Sequence, residues 1–205
     1  MARADLPTRN EYANAIPFGA SSMSYFQSRR SAVIARKGAV ATSQPLAAQA
    51  GLQMLKDGGN AVDAAVATAA VLNVVEPMST GIGGDMFALI WDKNERKVIA
   101  LNGSGRQAAA ANVDDVRKAG YDSIPNNGPG SHFAVSVPGT VDGWETALNR
   151  YGRMTLREVL QPAIDYALNG YAVSEVIANG WQSAGIAEKL SHRPSGMQMF
   201  PGGRA

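Results

Sequence analysis

Apolar and polar positions alternate along the chain in short blocks, and the spacing changes from block to block. Apolar runs at 31–36 and 38–42, separated by Lys37-Gly38, predict two short strands. A helix is predicted over 45–56, with Leu46, Ala50, Met54 and Leu55 on its apolar side. Ser43 is placed to cap it, Pro45 lies in its first turn, and Gly58-Gly59 stops it. In the next block Val62, Ala65, Val66, Ala69 and Leu72 recur at helical spacing, and alanines fill the other faces. A helix apolar nearly all round is expected to be buried; Asn60 can cap it and Glu76-Pro77 ends it.

Beyond Pro77 the pattern turns extended. The glycine-rich stretch STGIGG at 79–84 is a loop, and MFALIW at 86–91 is a continuous apolar strand that calls for cover on both faces. A polar connection at 92–96 returns the chain along a second strand at 97–101, and NGSGR follows. Arg106 therefore stands just past a strand end among small residues, where another chain segment or a ligand can approach its guanidinium. Taken alone, such an arginine is more often a surface turn residue.

The later blocks read as a short helix over 113–119 capped by Asn112, a turn-rich stretch at 123–131, and a strand at 132–137 broken by Pro138-Gly139. A helix capped by Thr140 follows, with Val141, Trp144, Ala147 and Leu148 as its apolar positions. The next is capped by Thr155 and is expected to kink or split at Pro162. One more runs from Ser174 through Trp181, and residues 192–205 dissolve into turn residues. No internal repeat is visible. The organisation read from this pattern is an N-terminal arm over 1–30 and a layered α/β body over 31–205.

Composition narrows the function classes. The 205 residues hold 19 Lys+Arg against 17 Asp+Glu, a net charge of +2, which argues against a nucleic-acid partner. With no cysteine there is no disulfide, thiol nucleophile or cysteine metal site. No run of about 20 apolar residues could span a bilayer. Residues 1–30 carry charges throughout and lack the apolar core of a signal peptide, so the expected location is the cytoplasm. His132 and His192 are isolated from any second histidine, and no phosphate loop or nucleotide fingerprint appears, so no metal or cofactor is expected. Asp85, following two glycines, could touch a substrate, but an aspartate in that setting more often accepts from nearby backbone amides.

The segments GGNAVDAAVATAAVLNVVEP, STGIGGDMFALIWD, NGSGR and SVPGTVDGWETALNRYGRMTLREVLQPAIDYALNGYAVS together resemble the gamma-glutamyltransferase (glutathione hydrolase) family of N-terminal-nucleophile hydrolases. They occur in family order between Ser31 and Ser174. The resemblance implies the αββα sandwich of that superfamily, present in part. It also implies a longer precursor that cleaves itself to expose a threonine, which is both nucleophile and, through its α-amine, general base. None of Thr42, Thr68, Thr80, Thr140, Thr146 or Thr155 sits in a matching context, so the nucleophile is expected in a C-terminal subunit outside this chain, along with the oxyanion-binding glycines. Gly83-Gly84 is not credited with that task.

Within these residues the resemblance carries over one functional position. The arginine matching Arg106 binds the α-carboxylate of the γ-glutamyl group, a task suited to a planar, two-pronged cation. GGDMF and NGSGR are similar to the branch that includes amidohydrolases of small acids such as oxamate, which stands as the alternative within the family. A non-catalytic binding or assembly domain with the same fold is the alternative outside it.

Overall fold

A computed structural model of the chain describes residues 32–125, 130–182 and 194–199. The chain divides between Lys37 and Gly38 into two compact units. The described part of the first, residues 32–37, forms no helix or strand.

In the second unit, helix α1 (Pro45–Lys56) has the predicted bounds, but its cap differs from expectation. Gln44 is the N-cap, its side-chain oxygen accepting from the amides of Leu46 and Ala47 at 2.5 and 3.2 Å. Ser43 stands one position before the cap, and its hydroxyl donates to Glu76 Oε2 at 2.6 Å. The same contact gives Glu76 a serine partner.

Helix α2 (Ala61–Val75) opens with the capping box that its sequence permits: Asn60 accepts from the amides of Val62 and Asp63, and the Asp63 carboxylate accepts from the Asn60 amide. It is buried as expected, with Ala64, Val66, Ala67, Ala70, Val71 and Val75 in the core. The apolar positions named above are only partly those inside. Val66 is buried and Val62, Ala69 and Leu72 are partly so, whereas Ala65 is exposed.

Strands β1 (Met86–Asp92) and β2 (Lys97–Gly103) form an antiparallel hairpin with Met86 opposite Gly103 and Asp92 opposite Lys97. Its turn is set by Asp92, whose Oδ1 accepts from the amides of Asn94 and Glu95. The apolar run of β1 is not covered on both sides. Phe87, Leu89 and Trp91, which share a face, are 68%, 78% and 61% exposed. A shallow apolar recess of about 270 Å³ on this hairpin is lined by Phe87, Ala88, Leu89, Ala100, Leu101 and Asn102.

Helix α3 (Val113–Lys118) is capped by Asn112, with Asp114 and Asp115 in its first turn. Helices α4 (Thr140–Tyr151) and α5 (Leu156–Asn169) follow. Helix α5 runs unbroken through Pro162, contrary to the expected split. Its capping box at Thr155 and Glu158, together with burial of Val159 and Ala163 against the core, offsets the hydrogen bond that proline cannot make. Helix α6 (Glu175–Gln182) matches its prediction, and a short helix α7 (Pro194–Met199) appears where turn residues were expected, with Pro194 at its first position.

Two predicted sets of strands do not form. Residues 32–42 run without regular structure, and 131–134 make a 3-10 turn followed by a single bridge between Ser136 and Gln107. An apolar run becomes a strand only where a neighbour takes its amides. Among the described residues the ladder is confined to β1 and β2, and Pro138 has no amide with which to extend pairing beyond Val137. Helices α1 and α5 pack on α2, whereas α4 is the helix that lies on the hairpin. Among the described residues no helix is long and apolar enough to cross a membrane.

Candidate functional site

Three segments converge where β2 ends: Gly84-Asp85 before β1, residues 103–107 after β2, and residues 136–140 leading into α4. The approach is close enough to require glycine. A Cβ on Gly105 would fall 1.6 Å from the carbonyl oxygen of Val137, and one on Gly139 would fall 2.3 Å from that of Gly103. The small residues flanking Arg106 thus admit another piece of chain.

Backbone hydrogen bonds hold the three together. The Gly84 carbonyl accepts from the amides of Gly139 and Thr140 at 3.0 and 3.1 Å. These are two of the donors that the start of α4 leaves unpaired, so Gly139 is the N-cap position, Thr140 is the first helical residue, and the predicted side-chain cap from Thr140 is not made. The Thr140 hydroxyl is instead buried, without a partner among the described residues. Asp85 Oδ1 accepts from the Gly105 amide at 3.0 Å and from the Ser136 hydroxyl at 3.4 Å. That is the backbone-satisfying role anticipated for it.

Arg106 sits at the centre of this junction. Its carbonyl accepts from the Val137 amide at 2.8 Å, its successor Gln107 bridges Ser136, and Gln107 Nε2 donates to the Phe133 carbonyl at 3.4 Å. The backbone is therefore tied on both sides. The side chain is exposed, and among the described residues no carboxylate pairs with its guanidinium. An arginine so placed can offer its full fork to an anion from outside the chain.

The His132 ring stacks on Phe133 with centroids 4.1 Å apart, and His192 lies outside the described residues. Among the described residues no cluster of three or more His, Cys, Asp or Glu side chains could hold a metal ion. Sequence reading missed Ser136 as a member of the junction. Its signal was the run SVPGT, read as a strand end and a helix start and not as the piece of chain that meets the glycines beside Arg106.

Comparison with known proteins assigns this architecture. The model of the gamma-glutamyltranspeptidase family matches residues 47–204. A glutathione hydrolase-like YwrD proenzyme of Bacillus subtilis is 49% identical over 143 residues, covering 69% of this chain and 26% of the relative. An oxamate amidohydrolase proenzyme of Klebsiella pneumoniae is 37% identical over 166 residues, covering 78% of this chain and 30% of the relative. The crystal structure of Helicobacter pylori gamma-glutamyltranspeptidase superposes with a TM-score of 0.72 at 34% identity, over 83% of this chain and 48% of that one. The chain carries part of the α/β fold of the N-terminal-nucleophile hydrolases. It belongs to the gamma-glutamyltranspeptidase family, and it spans 26% and 30% of the lengths of the two curated relatives.

Proposed function

We propose that this chain is the N-terminal part of a γ-glutamyl hydrolase or transferase, in which Arg106 binds the substrate carboxylate and a threonine beyond residue 205 performs the attack. The observation that carries the reading is the combination at Arg106: backbone held on both sides, guanidinium exposed and, among the described residues, without a carboxylate partner. Relatives described as proenzymes, of which the chain spans under a third, support a partner subunit released from the same precursor. The uncovered face of β1 and β2 offers that subunit an apolar surface on which to pack.

Oxamate amidohydrolysis is the second reading, favoured by the Klebsiella relative and by Asp85 after the glycine pair. Both substrates carry a carboxylate next to the scissile amide system or on the same small molecule, so Arg106 has the same task in each. Without the nucleophile, its amine base and the oxyanion donors, these 205 residues by themselves are expected to turn over neither.

The test uses the complete precursor with Arg106→Ala and Arg106→Lys, assayed on γ-glutamyl-p-nitroanilide and on oxamate while a gel scores self-cleavage. Loss of the fork should cost about 2–5 kcal/mol in kcat/KM on the true substrate class, and lysine should recover only part of it. Self-cleavage should persist in both variants. Wild-type kcat/KM for Arg106→Ala on every carboxylate-bearing substrate would reduce Arg106 to a turn residue.

A further inference from the structure

We propose that Asp85 is a positioning residue for substrate binding: its carboxylate, acting through the Gly105 amide, sets the backbone from which Arg106 reaches the substrate. The inference rests on the reading of Arg106 given above and adds a second residue, with its own mode of action, to that site.

An exposed aspartate ordinarily spends its acceptor capacity on water. In Asp85 one oxygen is engaged by two protein donors from different segments, the Gly105 amide at 3.0 Å and the Ser136 hydroxyl at 3.4 Å. Its neighbour Gly84 gives its carbonyl to the first amides of α4. A two-residue stretch thereby joins the start of β1, the end of β2 and the entry to α4.

Removing the carboxylate would act first on Gly105. This residue lies between Ser104 and Arg106 at the closest approach to the Val137 carbonyl, where no Cβ fits, and its amide is the group that Asp85 holds. The Asp85 bond is the hold on the Arg106 turn from the side of β1; the Val137 amide and the Ser136 bridge hold it from the other side. With one side released, the arginine would present its fork in the productive place for a smaller fraction of the time. Apparent affinity for substrate falls by that fraction, while chemistry at a threonine elsewhere is left alone.

Hydrogen-bond geometry, not charge, is the active property, and this separates positioning from direct contact with substrate. Asp85→Asn retains an oxygen at the same reach and loses the charge. Asp85→Glu retains the charge and places the oxygen one methylene too far. Positioning therefore ranks Asn above Glu, and a direct electrostatic contact ranks Glu above Asn.

The experiment measures KM and kcat separately in the complete, self-cleaved enzyme, on whichever of γ-glutamyl-p-nitroanilide and oxamate the wild type turns over. Asp85→Ala should raise KM about tenfold with kcat within about twofold, consistent with loss of one ordinary hydrogen bond. Asp85→Asn should recover most of the loss and Asp85→Glu less. In an Arg106→Ala background, Asp85→Ala should add nothing further, because it works through the residue already removed. If Asp85→Ala fails to self-cleave, the order of Asn and Glu decides alone. Glu equal to or better than Asn, an undiminished effect in the Arg106→Ala background, or unchanged KM for Asp85→Ala while Arg106→Ala is impaired overturns this inference and leaves the reading of Arg106 standing. An Arg106→Ala enzyme with wild-type kinetics overturns both.

Discussion

The fully buried Asp63 accepts the backbone amide of Arg153 on both carboxylate oxygens, at 3.0 and 3.1 Å, across ninety residues of sequence. The Met154 amide joins at 3.1 Å and the Asn60 amide at 2.6 Å, while Asn60 Nδ2 reaches the Tyr151 carbonyl at 2.6 Å. One side chain thus caps α2 and secures the connection between α4 and α5. Because α4 lies on the hairpin whose second strand ends at Gly103, just before Arg106, this clamp belongs to the scaffold behind the candidate site.

Asp63→Ala should destabilise the folded protein by roughly 3–5 kcal/mol, because it leaves buried amides without an acceptor and opens space at a helix junction. Asp63→Asn should recover at most part of this, since its NH₂ group would face amide donors. Chemical denaturation of the two variants checks the point. A loss for Asp63→Ala under about 1 kcal/mol would show that the clamp contributes little.

The Glu158 carboxyl is held below the ordinary glutamate range, first by the Thr155 amide and then by the Thr155 hydroxyl, at 2.8 and 2.7 Å. A lowered folded-state value means that the unfolded chain takes up the proton first as pH falls. The stabilisation is therefore complete above the unfolded-state value, and it is lost as pH falls through the folded-state value. The stability gap between wild type and Glu158→Gln should be constant above about pH 5.5 and shrink as pH drops below about 4. Denaturation midpoints across that range give the answer, and a gap that widens on acidification would contradict the assignment.

Leu89, at the centre of the uncovered hairpin face, should matter in opposite ways in two contexts. In the 205-residue chain by itself, Leu89→Lys should reduce self-association and binding of an apolar dye, because it breaks the exposed patch. In the complete precursor it should lower the yield of self-cleaved enzyme, because the same face is then to be covered. A wild-type 205-residue chain that is monodisperse and binds no dye would refute the first half, and normal processing of the variant would refute the second.

The sequence by itself determined the elements whose causes are local. The bounds of α1, the asparagine caps of α2 and α3 and the hairpin with its polar turn all depend on residues a few positions apart, and they appear where the pattern placed them. The family was legible for a related reason, since its long segments follow one another in a recognisable order, and Arg106 came with them.

Only the tertiary structure decided which local options were taken up. Ser43 had every local qualification for a helix cap, yet its hydroxyl goes to Glu76, 33 residues on, and Gln44 caps instead. Thr140 lost the cap position to Gly139 because the Gly84 carbonyl arrives to take the first amides of α4. The apolar runs at 32–42 and 132–137 had strand composition but no ladder to join. The meeting of Asp85, Gly105 and Ser136 around Arg106 depends on a chain crossing between residues 20 and 51 positions apart. Hydrogen-bond donors and acceptors go to the partner that folding brings within reach, and a one-dimensional pattern records that partner only when it is also a neighbour along the chain.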